Sequence, residues 1–167
     1  MKRIILVGPG ASGKTFIRDK FREKGFTIDV SWTSRPMREG EVQDIDYHFV
    51  YKEKFEKCID AEYFYEWVKF GDDYYGTEAF SWNCKSEIFI METEGISKIK
   101  PEDRNDCLIV YVNTPENIRL ERMVKRGWNA EKIKHRISLD KEKFFNFVDY
   151  DIEISSNVNN STCFLNI

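Results

Sequence analysis

The octapeptide Gly8-Pro9-Gly10-Ala11-Ser12-Gly13-Lys14-Thr15 matches the spacing G-x-x-x-x-G-K-S/T at every fixed position. It joins the apolar β-branched run Arg3–Val7 to a stretch, Gly13–Lys24, with apolar residues at Phe16, Ile17 and Phe21 among charges and Gly25 behind it. A buried strand, a tight glycine turn and a helix are therefore expected in succession. Glycines at 8, 10 and 13 let the backbone wrap so that several N–H groups point inward, and the helix start adds positive potential. Such a turn cradles phosphate. Lys14 would bring a mobile charge to the β- and γ-phosphates of a nucleotide, and the Thr15 hydroxyl would ligate Mg²⁺. At average residue frequencies the pattern arises by chance in a chain of this length with a probability on the order of 1% or less.

The rest of the chain narrows the class. Its 167 residues are enough for one domain with a real core, and 41% hydrophobic and 33% charged residues make an ordinary globular balance. A net charge of -3 gives no electrostatic reason to expect nucleic acid or an anionic membrane as partner, so phosphate binding must rest on locally clustered Arg and Lys. Cys58, Cys84, Cys107 and Cys163 show no metal-ligand spacing, and each is expected as a reduced packing residue. Met1–Val7 is too short for a signal peptide, and no apolar stretch approaches the roughly 20 residues that span a bilayer. The expectation is a cytoplasmic protein without nucleic-acid or membrane partners. Its oligomeric state is not encoded in any visible pattern.

Further along, Phe26–Ser31 reads as a second strand, and Trp32–Asp46 as a long polar loop of the kind that usually carries function. A brief strand Tyr47–Val50, a helix Lys52–Asp60 and a strand Tyr63–Phe70 follow, then a turn at Tyr74-Tyr75-Gly76. Glu78–Lys85 suits a short helix, and Glu87–Met91 and Asp106–Val112 suit strands. Helices are expected at Pro115–Arg126 and Ala130–Phe147, with a last strand at Asp151–Ser155 and an Asn-rich tail from Asn157. Strands alternating with helices imply a largely parallel sheet wrapped by helices.

In the long loop, Pro36 pushes Arg35 out of the helical region, and in the extended conformation this favours Arg35 and Arg38 project to one side. Two guanidinium forks with the Tyr47 hydroxyl nearby would make a pocket for a dianionic phosphate. Strand alternation puts Glu66 on the face of Phe64, Val68 and Phe70, where an unpaired carboxylate is costly. One carboxylate can accept together from N1–H and the exocyclic amine of guanine, and adenine offers no such pair. Glu66 would thus select guanine.

The segments Ser31–Val42, Asp46–Phe49, Phe64–Trp67 and Tyr74–Thr77 resemble the monophosphate-binding region of guanylate kinases, and with the phosphate loop the resemblance covers residues 3 to 77 with short gaps. It implies that Ser31 and Thr77 complete base recognition and that Tyr75 joins Arg35, Arg38 and Tyr47 at the GMP phosphate. Arg122, Arg126 and Arg136 resemble the arginines of that family's lid, which closes over the phosphates of ATP. Gly8, Gly10, Ala11, Ser12, Gly13, Lys14, Thr15 and Arg122 would then hold ATP, with Lys14, Arg35, Arg126 and Arg136 acting in the transfer. His48 and His135 fall in no catalytic pattern and are expected to be structural or surface groups. The family carries two aspartates before a glycine turn where this chain has Ile90-Met91-Glu92-Thr93-Glu94-Gly95. Alignment on Gly95 sets Glu92 at the second aspartate and Ile90 at the first, whereas a gap would match Glu92 and Glu94 to the pair. Glu92 is the favoured carboxylate for GMP or, through water, for Mg²⁺. The family's closing helix has no counterpart in this sequence, and Asn157 is the nearest candidate for an adenine contact.

The resemblance implies an α/β P-loop nucleotide kinase in a single domain with a parallel sheet core and helices on both faces (about 1–31, 78–120 and 148–167), an inserted GMP-binding subdomain (about 32–77) and a small helical lid (about 121–147). The implied activity is Mg²⁺-dependent transfer of phosphate from ATP to GMP, and also dGMP. Two alternatives stand beside it: a nucleoside monophosphate kinase with another acceptor, and a guanylate-kinase-like binding module without turnover.

Overall fold

The computed structural model describes residues 3–155; Asn157, Cys163 and the Asn-rich tail lie outside them. Strand β1 (Arg3–Val7) sits in the middle of a parallel sheet, between β6 (Ile88–Ile90) and β7 (Cys107–Val112), with β8 (Ile152–Ile154) outside β7. Both faces of β1 are covered, which is why its sequence is apolar throughout rather than alternating. Ile4 and Leu6 join Ile88, Val110 and Val112 under Ile17 and Phe21 of α1 (Lys14–Glu23). Ile5 and Val7 face the other way, onto Trp82, Phe89, Ile96, Ile99 and Ile109, with Tyr111, Phe144, Phe147 and Tyr150 packed at the margin.

Residues between Trp32 and Glu78 build a second sheet, ordered β3 (His48–Phe49), β2 (Trp32–Thr33), β5 (Asp73–Glu78), β4 (Phe64–Phe70) and backed by α2 (Lys52–Asp60). Phe55 of α2 is fully buried, stacked on Phe64 and Tyr74. After the two sheets come the short helices α3 (Thr93–Ser97) and α4 (Pro101–Arg104), and then α5 (Glu116–Lys125) and α6 (Ala130–Phe144). Met123, Ile133 and Ile137 hold α5 and α6 together, with Ala11 and Trp128 against them.

Several expectations need correction. Tyr74-Tyr75-Gly76 is strand, not turn: the reversal occurs at Gly71-Asp72, where Gly71 takes a φ of 62° and leaves β5 paired along β4. Phe26 and Ile28 pack on the first sheet's core, but the segment Phe26–Ser31 pairs with that sheet only at the Ile28–Ile88 bridge among the described residues, and regular pairing begins at Trp32, in the second sheet. Ser81–Lys85 forms one π turn rather than an ordinary helix, closed by Ser86 N–H to the Ser81 carbonyl. Phe64 does not share a face with Glu66. A bulge at Tyr65 breaks the alternation, so Phe64 packs on Phe55 while Glu66 and Val68 turn to the opposite side. Cys84 is exposed in that π turn and packs nothing, unlike buried Cys107. The helices α3 and α4 lie in a stretch whose sequence carries too short a pattern to announce them.

Parallel strands order the functional end. The carboxyl ends of β1, β6 and β7 lie side by side, and in open parallel sheets ligands bind where the connections leave those ends in opposite directions. Thr114, just beyond β7, donates to the Ser12 carbonyl at 2.7 Å and so anchors the glycine turn to the sheet. Arg119 of α5 is buried against Asp140 of α6 at 2.9 Å and also donates to the Thr114 carbonyl. Without Arg119, Asp140 keeps Arg136 and the Gly10 N–H, so its charge loses one buried partner and is not stranded. Arg119→Met should therefore lower the unfolding free energy by about 1–2 kcal/mol in urea denaturation, while an exposed control such as Lys125→Met should change it little.

Candidate active site

One cavity of about 350 Å³ runs from the glycine turn to the second sheet. It brings together Gly10, Ala11, Ser12, Gly13, Lys14 and Thr15 with Ser31, Arg35, Arg38, Tyr47, Glu66, Tyr75, Glu92, Arg122, Arg126 and Arg136. Gly8 and Thr77 lie behind its wall. Gly8 passes so near the sheet that a Cβ there would sit 2.5 Å from the Val112 carbonyl, and its own carbonyl accepts from Lys14 Nζ. Gly13 starts α1 with a φ of 105°, which points the first helical N–H groups toward the cavity. Burial pulls the Lys14 ammonium down to about 8, against the raising influence of Glu92. An arriving polyphosphate would restore the charge that burial disfavours.

At the far side, Arg35 is 7% exposed and makes two parallel 2.8 Å bonds to the Glu41 carboxylate. Glu41 also accepts from the Arg38 N–H at 2.7 Å, so this one carboxylate shapes the turn that presents both arginines. Asp46 does the same for the rest of the long loop, accepting from Val42 N–H and from buried Arg18 of α1. Tyr47 lies with its ring 5.3 Å from the Arg35 guanidinium, and Tyr75 is its edge-on neighbour. Burial pushes the Tyr47 hydroxyl up to about 12, which keeps it a neutral donor. Two cations and two neutral hydroxyl donors around one volume suit a phosphate dianion.

The deepest part is different: it is built of acceptors. Glu66 is 7% exposed, and the Thr77 hydroxyl donates to its Oε1 at 2.7 Å. Burial raises the Glu66 carboxyl to about 7, opposed by Thr77 and reinforced by the nearby charge of Asp29. Asp29 accepts from Ser31 at 2.7 Å and from Ser81 at 2.5 Å. Because Ser31 spends its only proton on Asp29, its oxygen offers lone pairs to the cavity. Glu66 and Ser31 both line the cavity, and the ionised Glu66 offers acceptors that suit the adjacent N–H groups of guanine and has nothing for the unprotonated N1 of adenine.

Comparison with known proteins places the chain in a family. The family model described as Guanylate kinase matches residues 1–164. The chain belongs to the guanylate kinase family. It is 35% identical over 158 residues to the guanylate kinase of Onion yellows phytoplasma (strain OY-M), covering 89% of this chain and 74% of that one. Against the guanylate kinase of Mycoplasmopsis pulmonis (strain UAB CTIP) the identity is 36% over 154 residues, with 84% and 79% covered. The crystal structure of guanylate kinase from Anaplasma phagocytophilum superposes with a TM-score of 0.65 over 93% of this chain and 77% of that chain at 18% identity, a likeness of fold.

Where this chain departs from the guanylate kinase pattern, the placement of each carboxylate is specific. Glu92 lines the cavity just past β6 beside Ile90, whereas Glu94 is exposed on α3 and pairs with Lys98 at 2.9 Å. Oε2 of Glu92 is buried without a hydrogen-bond partner, and the Lys143 ammonium stands 3.9 Å from it. Among the described residues no cluster of three or more His, Cys, Asp or Glu could hold a metal alone. His48 pairs with Asp44 outside the cavity, and His135 is exposed on α6. From the lid side, Arg122 donates to the Ala11 carbonyl at 2.9 Å, and Arg136 lies so close over Gly10 that a Cβ there would be 2.6 Å from its Nε.

Residue reading along the sequence missed Asp29, Glu41 and Asp140. Only Asp29 carried a signal, as a charge inside an otherwise apolar run. It also missed the reason for Gly95, whose Cβ would lie 2.7 Å from Glu66 Oε2. Gly95→Ala should displace that oxygen and raise the KM for GMP about tenfold, with the KM for ATP nearly unchanged. Steady-state kinetics with each substrate varied in turn checks it.

Proposed function

We propose that this chain transfers the γ-phosphoryl group of ATP to GMP, and that the residues of the shared cavity divide that work between a donor end and an acceptor end. The observation that carries the reading is a buried carboxylate, Glu66, lining the same cavity as the phosphate loop. Ser31 and Glu66 read the guanine edge, while Arg35, Arg38, Tyr47 and Tyr75 hold the GMP phosphate. The loop N–H groups, Lys14 and Arg122 hold the ATP phosphates. Arg126 and Arg136 face the space between, where negative charge spreads during transfer. The attacking phosphate oxygen is already ionised, so no general base is required. None of these assigned side chains depends on a 2′-hydroxyl, so dGMP should serve as acceptor too.

Mg²⁺ fits the residues present: Thr15, which carries a hydroxyl, lines the cavity, and the buried unpartnered oxygen of Glu92 suits a metal-bound water. When bound it would supply positive charge that offsets the negative charge of the phosphates. The three units expected from the sequence take roles accordingly, with residues 32–77 as the acceptor unit, 121–147 as the lid and the remainder as the donor-binding core. No helix among the described residues is long and apolar enough to cross a membrane.

A coupled assay of ADP release, with ATP, Mg²⁺ and each of GMP, dGMP, AMP, CMP and UMP, tests the reading. Turnover confined to GMP and dGMP is expected. Comparable turnover with AMP would overturn the base assignment, and none with any acceptor would overturn the activity.

A further inference from the structure

Helix α6 turns one face to the cavity, carrying Arg136, Asp140 and Lys143 at the four- and three-residue spacing that aligns side chains on a helix. Asp140, only 2% exposed, accepts from the Gly10 N–H at 3.0 Å, from Arg119 at 2.9 Å and from Arg136 Nε at 2.9 Å. That carboxylate fixes one edge of the Arg136 guanidinium. A ring from the second sheet meets the guanidinium: Phe70, the last residue of β4, has its centroid 4.3 Å from the Arg136 guanidinium carbon. The Lys143 ammonium stands 4.0 Å from the same centroid, and it is this ammonium that neighbours the buried oxygen of Glu92. Phe70 belongs to none of the three apolar clusters and pairs with no other aromatic ring among the described residues.

A half-buried phenylalanine at a hairpin end, touching two cations of a separate helix and no apolar cluster, is not explained by packing. Its strand supplies the explanation. Glu66, Val68 and Phe70 alternate along one face of β4, so the strand that reads the base also carries the ring that meets the lid. Both cations stand within cation–π distance of the ring, and each also has a carboxylate beside it, Asp140 for Arg136 and Glu92 for Lys143.

We propose that Phe70 is a positioning residue for phosphoryl transfer: by offering its ring to Arg136 and Lys143, it seats the lid over the donor phosphates when the acceptor strand is in place. The inference rests on the phosphotransfer reading above and deepens it, because it states how occupancy of the acceptor unit would reach the arginine above Gly10. The arrangement couples the two substrates through contact rather than through a distant change of shape. Arg136 is confined between a carboxylate and a ring, which leaves its terminal N–H groups for phosphate oxygens.

Phe70→Leu keeps apolar bulk and removes the ring face, and Phe70→Tyr keeps the face. Both are compared with wild type for kcat, for direct GMP binding by calorimetry and for the thermal unfolding midpoint. Phe70→Leu should lose about tenfold in kcat while its GMP dissociation constant stays within about twofold and its unfolding midpoint is retained. Phe70→Tyr should recover most of the lost kcat. Wild-type kcat in Phe70→Leu, or an equal loss in Phe70→Tyr, would overturn the proposal. So would GMP binding and the unfolding midpoint falling in step with kcat, since a merely structural residue would do that. Absence of wild-type turnover overturns the functional reading and this inference with it, whereas turnover shared by wild type and Phe70→Leu overturns this inference alone.

Discussion

Lys14→Ala should fold normally and lose on the order of 10²- to 10³-fold in kcat for GMP phosphorylation. The ammonium is held inside the glycine turn by the carbonyls of Gly8 and Pro9, and burial already pulls it down to about 8. Its charge is thus costly in the free protein and becomes favourable only beside phosphate, most of all while the γ-phosphoryl group is in transit. Removing it takes away an interaction that strengthens in the transition state, so kcat should fall more than affinity for GMP, which binds at the other end. The fold should not suffer, because Lys14 lines the cavity and truncating its side chain opens a path for water to the two carbonyls. Thermal unfolding and steady-state kinetics on the same preparation provide the check. A variant that keeps most of its turnover would show that the loop amides and lid arginines suffice, and would remove Lys14 from the mechanism.

Glu66→Gln should lower kcat/KM for GMP by on the order of 10³-fold while barely changing the fold. The reason lies in Thr77. Its hydroxyl donates to Glu66 Oε1, so a glutamine would turn its carbonyl to Thr77 and its NH₂ toward the base, setting donor against donor. Discrimination between GMP and AMP should narrow accordingly, and an unchanged ratio would show that the carboxylate does not select the base. The same carboxylate predicts a pH effect. Burial raises it from 4.5 to about 7, so the folded chain holds a proton there that the unfolded chain has released. The stability of the free protein should therefore fall as pH rises through that window. GMP needs the ionised form, so its affinity should fall as pH drops below about 7, and binding just below neutrality should expel a proton. Calorimetry in buffers of different ionisation enthalpy measures that release. The GMP phosphate itself titrates near pH 6 or so, and Glu66→Gln isolates the part that belongs to the carboxylate.

Much of this site is written locally. Gly8 to Thr15 needs only its own glycines, lysine and hydroxyl, between a strand and a helix, to make a phosphate cradle. Arg35 and Arg38 are marked as a pair by the proline between them, and Glu66 stands out because a carboxylate amid apolar strand residues demands a partner. Local reading failed where register or long-range pairing decides. Tyr74–Gly76 looked like a turn because small and aromatic residues suit either state, and β4 across the sheet made it strand. Phe64 changed faces because a single bulged residue inverts every alternation before it.

The sequence by itself determined which groups stand at each end: a glycine loop with its lysine and hydroxyl, a pair of arginines, and a carboxylate in an apolar strand, to which we assign phosphate and guanine binding. These follow from residue type and short spacing, which act over a few bonds. Only the tertiary structure decided what aims them. Glu41 behind Arg35, Asp29 behind Ser31, Asp140 beneath Arg136, and Phe70 against the lid are contacts between groups whose meeting depends on how separate elements pack. A charge or a ring carries no mark of its partner until burial removes water and makes the unpaired alternative costly, and that happens only when the fold closes.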